Sequence, residues 1–178
     1  MEGSNEIDWT PASHITEPHT FISALTRFLE GECASALSFQ ESTVREAIFF
    51  TSCKFICSSM MTTITSASVR RINMLGVYNL GVDLRYLERF AERVDIPSLI
   101  ECFSELRQLV SLVMSGQPEQ IMDPALRAAS FPHVPIPILL TMLEKYKEGG
   151  GGGAATKDLG LPKMRKRDLE SLIGCLRE

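Results

Sequence analysis

The sequence predicts an all-α protein, a helical bundle of about five to seven helices. Apolar residues recur at three- and four-residue steps along most of the chain, and the strict alternation of a half-buried strand is nearly absent. Cap residues and helix stops punctuate those runs at helical lengths. The 178 residues are enough for one domain with a real core. Apolar residues at 44 % and charged residues at 22 % are ordinary globular composition.

The first helix is expected to open at Thr16 as cap with Pro18 in its first turn, where a missing N–H costs nothing. Its apolar face is Phe21, Ile22, Leu25, Phe28, Leu29 and Leu37. A second helix opens with Thr43 and Glu46 spaced as a capping box and runs to about Ile64. Apolar residues surround it almost completely, which places it at the centre of the domain. Asn73 then caps a third helix whose stripe is Val77, Leu80, Leu84, Leu87 and Ala91. Its opposite side carries Asp83, Arg85, Glu88, Arg89 and Glu92, read as a solvated face. Gly76 and Gly81 interrupt that helix at about 1 kcal/mol each relative to Ala, which implies close approach of another backbone, from the same domain or from a partner.

Asp95 and Pro97 open the next helix, with Leu99, Phe103, Leu106, Val110 and Val113 inward and Gly116 as its end. Pro124 starts a brief helix, and a last full helix spans about Pro137 to Lys147. Residues 1–148 therefore form the helical domain. The Gly-rich stretch 149–160 reads as a flexible linker, natural or engineered. Within 161–178 a short terminal helix presents Leu169, Leu172, Ile173 and Leu176, a face that must dock on this domain or on a partner.

Charge and motifs narrow the function. A formal net charge of −4 argues against nucleic acid as a partner. No run of about 18 or more uncharged apolar residues suggests a membrane span. The acidic, polar start MEGSNEIDWTPASH lacks a secretory signal, so a cytoplasmic protein is expected. The five cysteines, Cys33, Cys53, Cys57, Cys102 and Cys175, read as packing residues rather than disulfides or zinc ligands. No phosphate loop, zinc-protease motif or nucleophile elbow occurs. Neither a catalytic nor a metal role is assigned to His14, His19 or His133. Asp83 and Glu88, five apart, share no helix face suited to acid–base work. The sequence thus predicts no enzyme and no cofactor. The basic cluster Lys163, Arg165, Lys166 and Arg167 reads as solubilising charge rather than an anionic-lipid contact.

The order of segments resembles the C-terminal helical domain of the exocyst subunit family called Sec-fifteen. The resemblance starts at Ile7-Asp8-Trp9, passes through FISALTRFLE and EAIFFTSCKFICSSM, and is clearest in INMLGVYNLGVDLRYLERFA. It resumes at ELRQLVSLVMS, DPALRAAS, LLTMLEKYKE and RKRDLESLIGCLRE. The resemblance implies a non-catalytic role in vesicle tethering during exocytosis, at secretory vesicles and the plasma membrane. It implies contact with a GTP-bound Rab GTPase and with other exocyst subunits. The membrane is then reached indirectly, through the vesicle Rab. The Rab-contacting region maps onto Val77, Tyr78, Asn79, Gly81, Val82, Arg85 and Tyr86. Animal members carry an Asn where this chain has Gly81, a departure that implies an altered contact geometry or a different Rab. A helical scaffold without GTPase contact is the alternative.

Overall fold

The computed structural model describes residues 7–149 and 154–177. Among them are helices, turns and connecting segments, and no strand. Helix α1 (Thr20–Phe28) continues through a π turn, Leu29–Cys33, and a last helical turn, Ala34–Ala36. Helix α2 is Ser42–Thr65 and α3 is Met74–Arg93. A 3-10 turn (Leu99–Phe103) leads into α4 (Ser104–Met114), and a second one (Pro118–Met122) leads into α5 (Pro124–Ser130). Helix α6 (Ile136–Gly149), the short α7 (Ala154–Asp158) and α8 (Lys166–Arg177) complete the chain.

Helix α3, not α2, is the central element. Its residues Met74 to Val77, Asn79 to Leu84, Leu87, Phe90 and Ala91 are all buried. Helix α1, the first 3-10 turn and α4 pack around it. Helix α2 buries Phe49, Cys53, Ile56, Cys57, Met61 and Ile64 and leaves its other side open. Apolar residues all round a helix are compatible with two positions: a central one, or the wall of a bundle with a bare outer face. The five-residue stripe expected of α3 understates its burial, because its polar residues Asn79 and Asp83 are buried as well. By length and composition α2 is apolar enough to cross a membrane. It nevertheless carries Lys54 and contributes the side chains above to the common core.

Local chemistry explains the boundaries. Asn73 caps α3 by accepting the Gly76 N–H on its side chain at 2.8 Å, as its sequence position suggested. Asp123 accepts from the N–H groups of Ala125 and Leu126 and so starts α5. Gly116, with φ of 72°, closes α4 in a left-handed conformation. Three expected starts are displaced. Helix α1 begins four residues beyond Thr16, because the chain ahead of it is held against α3. Helix α2 begins at Ser42 without a side-chain cap, so the Thr43–Glu46 capping box does not form. Asp95 and Ser98 both adopt positive φ, 55° and 62°, and the chain turns at both before the 3-10 segment begins at Leu99.

Helix α6 fastens the far end of α2. Lys145 Nζ donates to the carbonyls of Ile64 and Ser66, each at 2.6 Å, and satisfies groups that the helix end leaves free. The Lys145 carbonyl accepts from Ile72 N–H at 3.1 Å. A Cβ at Gly149 would collide with the Ile72 backbone, so this glycine admits a close crossing rather than merely stopping a helix. Helix α8 docks on α6 through Leu169, Leu172 and Ile173, with Arg177 reaching Glu144 at 2.5 Å. The terminal helix is thus held by this domain. Residues 150–153 of the expected linker lie outside the described residues. Ala154–Asp158, in its second half, is helical, and Thr156 is buried, so this part is not an open chain.

Phe103 and Leu106 are both fully buried at the junction of α2, α3 and α4. Replacing either with Ala is expected to lower unfolding free energy by about 2–5 kcal/mol, measured by urea denaturation. An unchanged midpoint would remove these residues from the core.

Candidate protein-binding surface

The residues ahead of α1 run alongside α3 as a strap with several bends. Trp9 carbonyl accepts from Asn73 N–H at 3.0 Å, and Pro11 carbonyl accepts from the Asn73 side-chain amide at 3.0 Å. Further along, Asn79 Oδ1 accepts from Ile15 N–H at 3.0 Å. Asp83 Oδ1 accepts from His19 N–H at 2.8 Å, and its Oδ2 meets His19 Nδ1 at 2.7 Å. A Cβ on Gly76 would collide with the Trp9 carbonyl. Gly76 therefore does provide a close backbone approach. Gly81 does not: a Cβ there would make ordinary contacts, 3.5 Å to Val110 Cγ1 and 3.7 Å to Met114 Sδ.

Asp83 is fully buried, which corrects its reading as part of a solvated face. Burial pushes its carboxyl up from the usual carboxylate value, and the backbone and ring contacts from His19 pull against that shift. Glu88, its supposed companion, instead pairs with Arg107 on α4. The two carboxylates thus have separate partners, His19 for Asp83 and Arg107 for Glu88.

The candidate contact residues divide between the interior and the surface. Val77, Asn79, Gly81 and Val82 are buried. Tyr78 and Tyr86 are half-buried, and Arg85 is exposed. Tyr78, Val82, Arg85 and Arg89 follow one another at three- and four-residue steps and so share one side of α3. The Arg85 guanidinium lies 5.9 Å from the Tyr78 ring centroid, within cation–π range. His14 of the strap meets the same ring edge-on at 6.0 Å. What reaches solvent is a small aromatic and cationic patch, Arg85 over Tyr78 with His14 beside it, and the half-buried Tyr86 further round the helix. Reading α3 as a two-sided amphipathic helix missed the strap. The signal for it was the trio Asn73, Asn79 and Asp83, polar residues on one side of a helix otherwise rich in apolar groups.

Among the described residues no group of three or more His, Cys, Asp or Glu side chains is placed to hold a metal ion. Cys53 and Cys57 are buried, Cys33 and Cys102 half-buried, and Cys175 exposed. Burial pushes the Cys53 thiol up to about 12 and the Cys57 thiol up to about 11.

Residues 1–145 match the family described as exocyst complex subunit Sec15 C-terminal. The chain belongs to that family. Its relatives include exocyst complex component 6 of Dictyostelium discoideum, 29 % identical over 97 % of this chain and 18 % of that protein. Exocyst complex component SEC15A of Arabidopsis thaliana is 27 % identical over 85 % of this chain and 20 % of its own length. Exocyst complex component sec15 of Schizosaccharomyces pombe is 20 % identical over 99 % of this chain and 23 % of its own length. The chain therefore spans about a fifth of the length of these Sec15 relatives. No solved structure matches it. Tyr78, Arg85 and Tyr86 all fall within the part matched by the Sec15 family.

Two outcomes test this description. Asp83→Ala strands the His19 N–H and should cost about 1–3 kcal/mol of stability, while Asp83→Asn keeps an acceptor and should cost less. Gly76→Ala should red-shift the emission of Trp9, the single tryptophan, as the strap is pushed off α3. An unmoved spectrum in the folded variant would contradict the close approach. For the cysteines, a raised pKa keeps the unreactive thiol form through neutral pH. Iodoacetamide at pH 8 should thus modify Cys175 in the native protein, and Cys53 and Cys57 only after denaturation. Mass spectrometry of the labelled peptides distinguishes the two groups.

Proposed function

We propose that this chain is a non-catalytic protein-binding part of an exocyst vesicle-tethering subunit, acting in the cytoplasm at secretory vesicles and sites of exocytosis. Membership of the Sec15 C-terminal family carries the reading. The absence of any recognisable catalytic motif in the sequence accords with it. In this reading the domain joins other exocyst subunits and binds a Rab-family GTPase in its GTP form. The surface assigned to the GTPase is the exposed side of α3, with Tyr78, Arg85 and Tyr86 as contacts. Tyrosine and arginine are favoured where a protein surface anchors a partner, since each brings large contact area with a polar end. A GTPase switch region is ordered by the γ-phosphate and offers such a patch a nucleotide-dependent target.

The burial of Val77, Asn79, Gly81 and Val82 favours a second reading, a scaffold without GTPase contact. It confines the available contact to a few side chains. Gly81 faces α4 and is unsuited as a probe of the surface, whereas Arg85 is exposed and lies over Tyr78. Binding of a panel of Rab GTPases, each loaded with GDP or a non-hydrolysable GTP analogue, separates the two readings. Preference for one GTP-loaded Rab is expected. Arg85→Glu should weaken that binding at least about tenfold, equivalent to about 1.4 kcal/mol, with an unchanged melting temperature. Equal binding of both nucleotide forms, or full affinity in the variant, leaves the scaffold in first place.

A further inference from the structure

Helix α2 leaves an unusual outer face. Its exposed residues are Ser42, Thr43, Val44, Ala47, Ile48, Thr51, Lys54, Phe55, Ser58, Ser59, Thr62 and Thr63, and Lys54 is the single charge among them. A solvated helix face of this length normally carries several charges. Val44, Ile48, Thr51, Phe55, Ser58 and Thr62 follow the alternating four- and three-residue spacing of a helix–helix seam. Phe55 is 71 % exposed, and Val44 and Ile48 are each about two-fifths exposed. Burying such side chains is favourable, and among the described residues nothing does it.

One edge of this face opens into a cleft. Helix α1 packs on α3 and stands away from α2, leaving an apolar space of about 270 Å3. Phe21 and Leu25 form one wall, Phe55 and Met60 the other, and Trp9 lies among the lining residues. Its polar end is shared with a neighbouring hollow lined by Arg70 and Arg71. Both arginines are exposed and make no ion pair among the described residues. The strap's Asp8 engages its own neighbour, Thr10 N–H, at 2.9 Å. Among the described residues, the fixed charges at this end of the cleft are positive and have no acidic partner.

We propose that the cleft between α1 and α2, with the bare α2 face beside it, docks an amphipathic helix of another polypeptide whose terminal turn is acidic. Apolar side chains at helical spacing fill the cleft and lie along Val44, Ile48 and Phe55. The acidic turn, with the negative end of the helix dipole, meets Arg70 and Arg71. The charge selects this occupant over a second copy of the chain. Antiparallel self-pairing of the seam would bring Lys54 near its own counterpart and leave both arginines without acids. The length of the seam selects a helix over a single acyl chain, which would fill the cleft and leave the α2 face bare. This surface is separate from the patch on α3 and does not depend on the GTPase reading.

The test uses the whole 178-residue chain. The probe is a fluorescent, helix-forming peptide of three heptads with Leu at its seam positions and Glu in its last turn. A second peptide has Lys in place of those Glu residues. Fluorescence anisotropy should show saturable binding of the acidic peptide and at least tenfold weaker binding of the basic one. Phe55→Asp, and separately Arg70→Glu with Arg71→Glu, should each weaken the acidic peptide at least tenfold. All three residues are exposed, so melting temperatures should hold; a control variant, Arg167→Glu, should bind as wild type. Equal binding of the two peptides, no binding, or unaltered affinity in the cleft variants would overturn the proposal. So would sedimentation showing that the chain dimerises through Phe55, or displacement of the peptide by vesicles of anionic phospholipid.

Discussion

A buried carboxylate on the central helix demands a partner, and much of the fold is arranged around supplying it. Asp83 sits where no water reaches, at the price of its hydration. His19 returns a backbone and a ring contact. Asn79 and Asn73 make the same demand one and three turns earlier and are met by Ile15 and by Trp9 and Pro11. The strap is therefore not a loose leader. Its path is dictated by three polar side chains, and Gly76 lets its backbone come close enough to meet them. Once the strap is fixed, α1 must start beyond His19, which sets the distance between α1 and α2.

The remaining helices extend this arrangement outward. Helix α4 and its 3-10 entry cover the side of α3 away from the strap, and Phe49 and Phe90 meet at 6.3 Å between α2 and α3. Helix α6 ties down the end of α2 through Lys145, whose burial lowers its ammonium pKa from the ordinary value. Helix α8 then closes over α6. The result is a bundle closed on most sides and open along α2, where apolar and small polar residues face outward with almost no charge.

Helical periodicity was enough to recognise the class, the order of the elements, the Asn73 cap and the Gly116 stop. It also placed Leu106, Phe103 and Leu172 inward, because burial of such residues follows from local spacing alone. It failed where a distant segment decides the outcome. Asp83 looks like a surface residue beside Arg85 and Glu88, and only a strap sixty-four residues away in sequence makes it an interior one. Thr16 and Pro18 carry a sound helix-start signal that the same tertiary contact overrides. Helix α2 was read as central because periodicity cannot distinguish a helix covered by its own domain from one left uncovered. For the candidate surface, the family resemblance marked Val77, Tyr78, Asn79, Gly81, Val82, Arg85 and Tyr86 as one region, and spacing did not sort them. It could not reveal that Val82 lies just beneath the surface or that Gly81 faces α4.

The strap also imposes an order in time. Its contacts to Asn79 and Asp83 join residues separated by 64 positions, so neither can form before α3 has been made. At the about 5–20 residues per second of protein synthesis, the strap waits roughly 3–13 s before its docking site on α3 has even been made. During that interval Trp9 and Ile22, both buried in the finished domain, lack the cover that α3 provides. The helices ahead of α3 can only be consolidated when α3 arrives. A domain tied together in this way favours late, collective folding over stepwise growth from its N-terminal end.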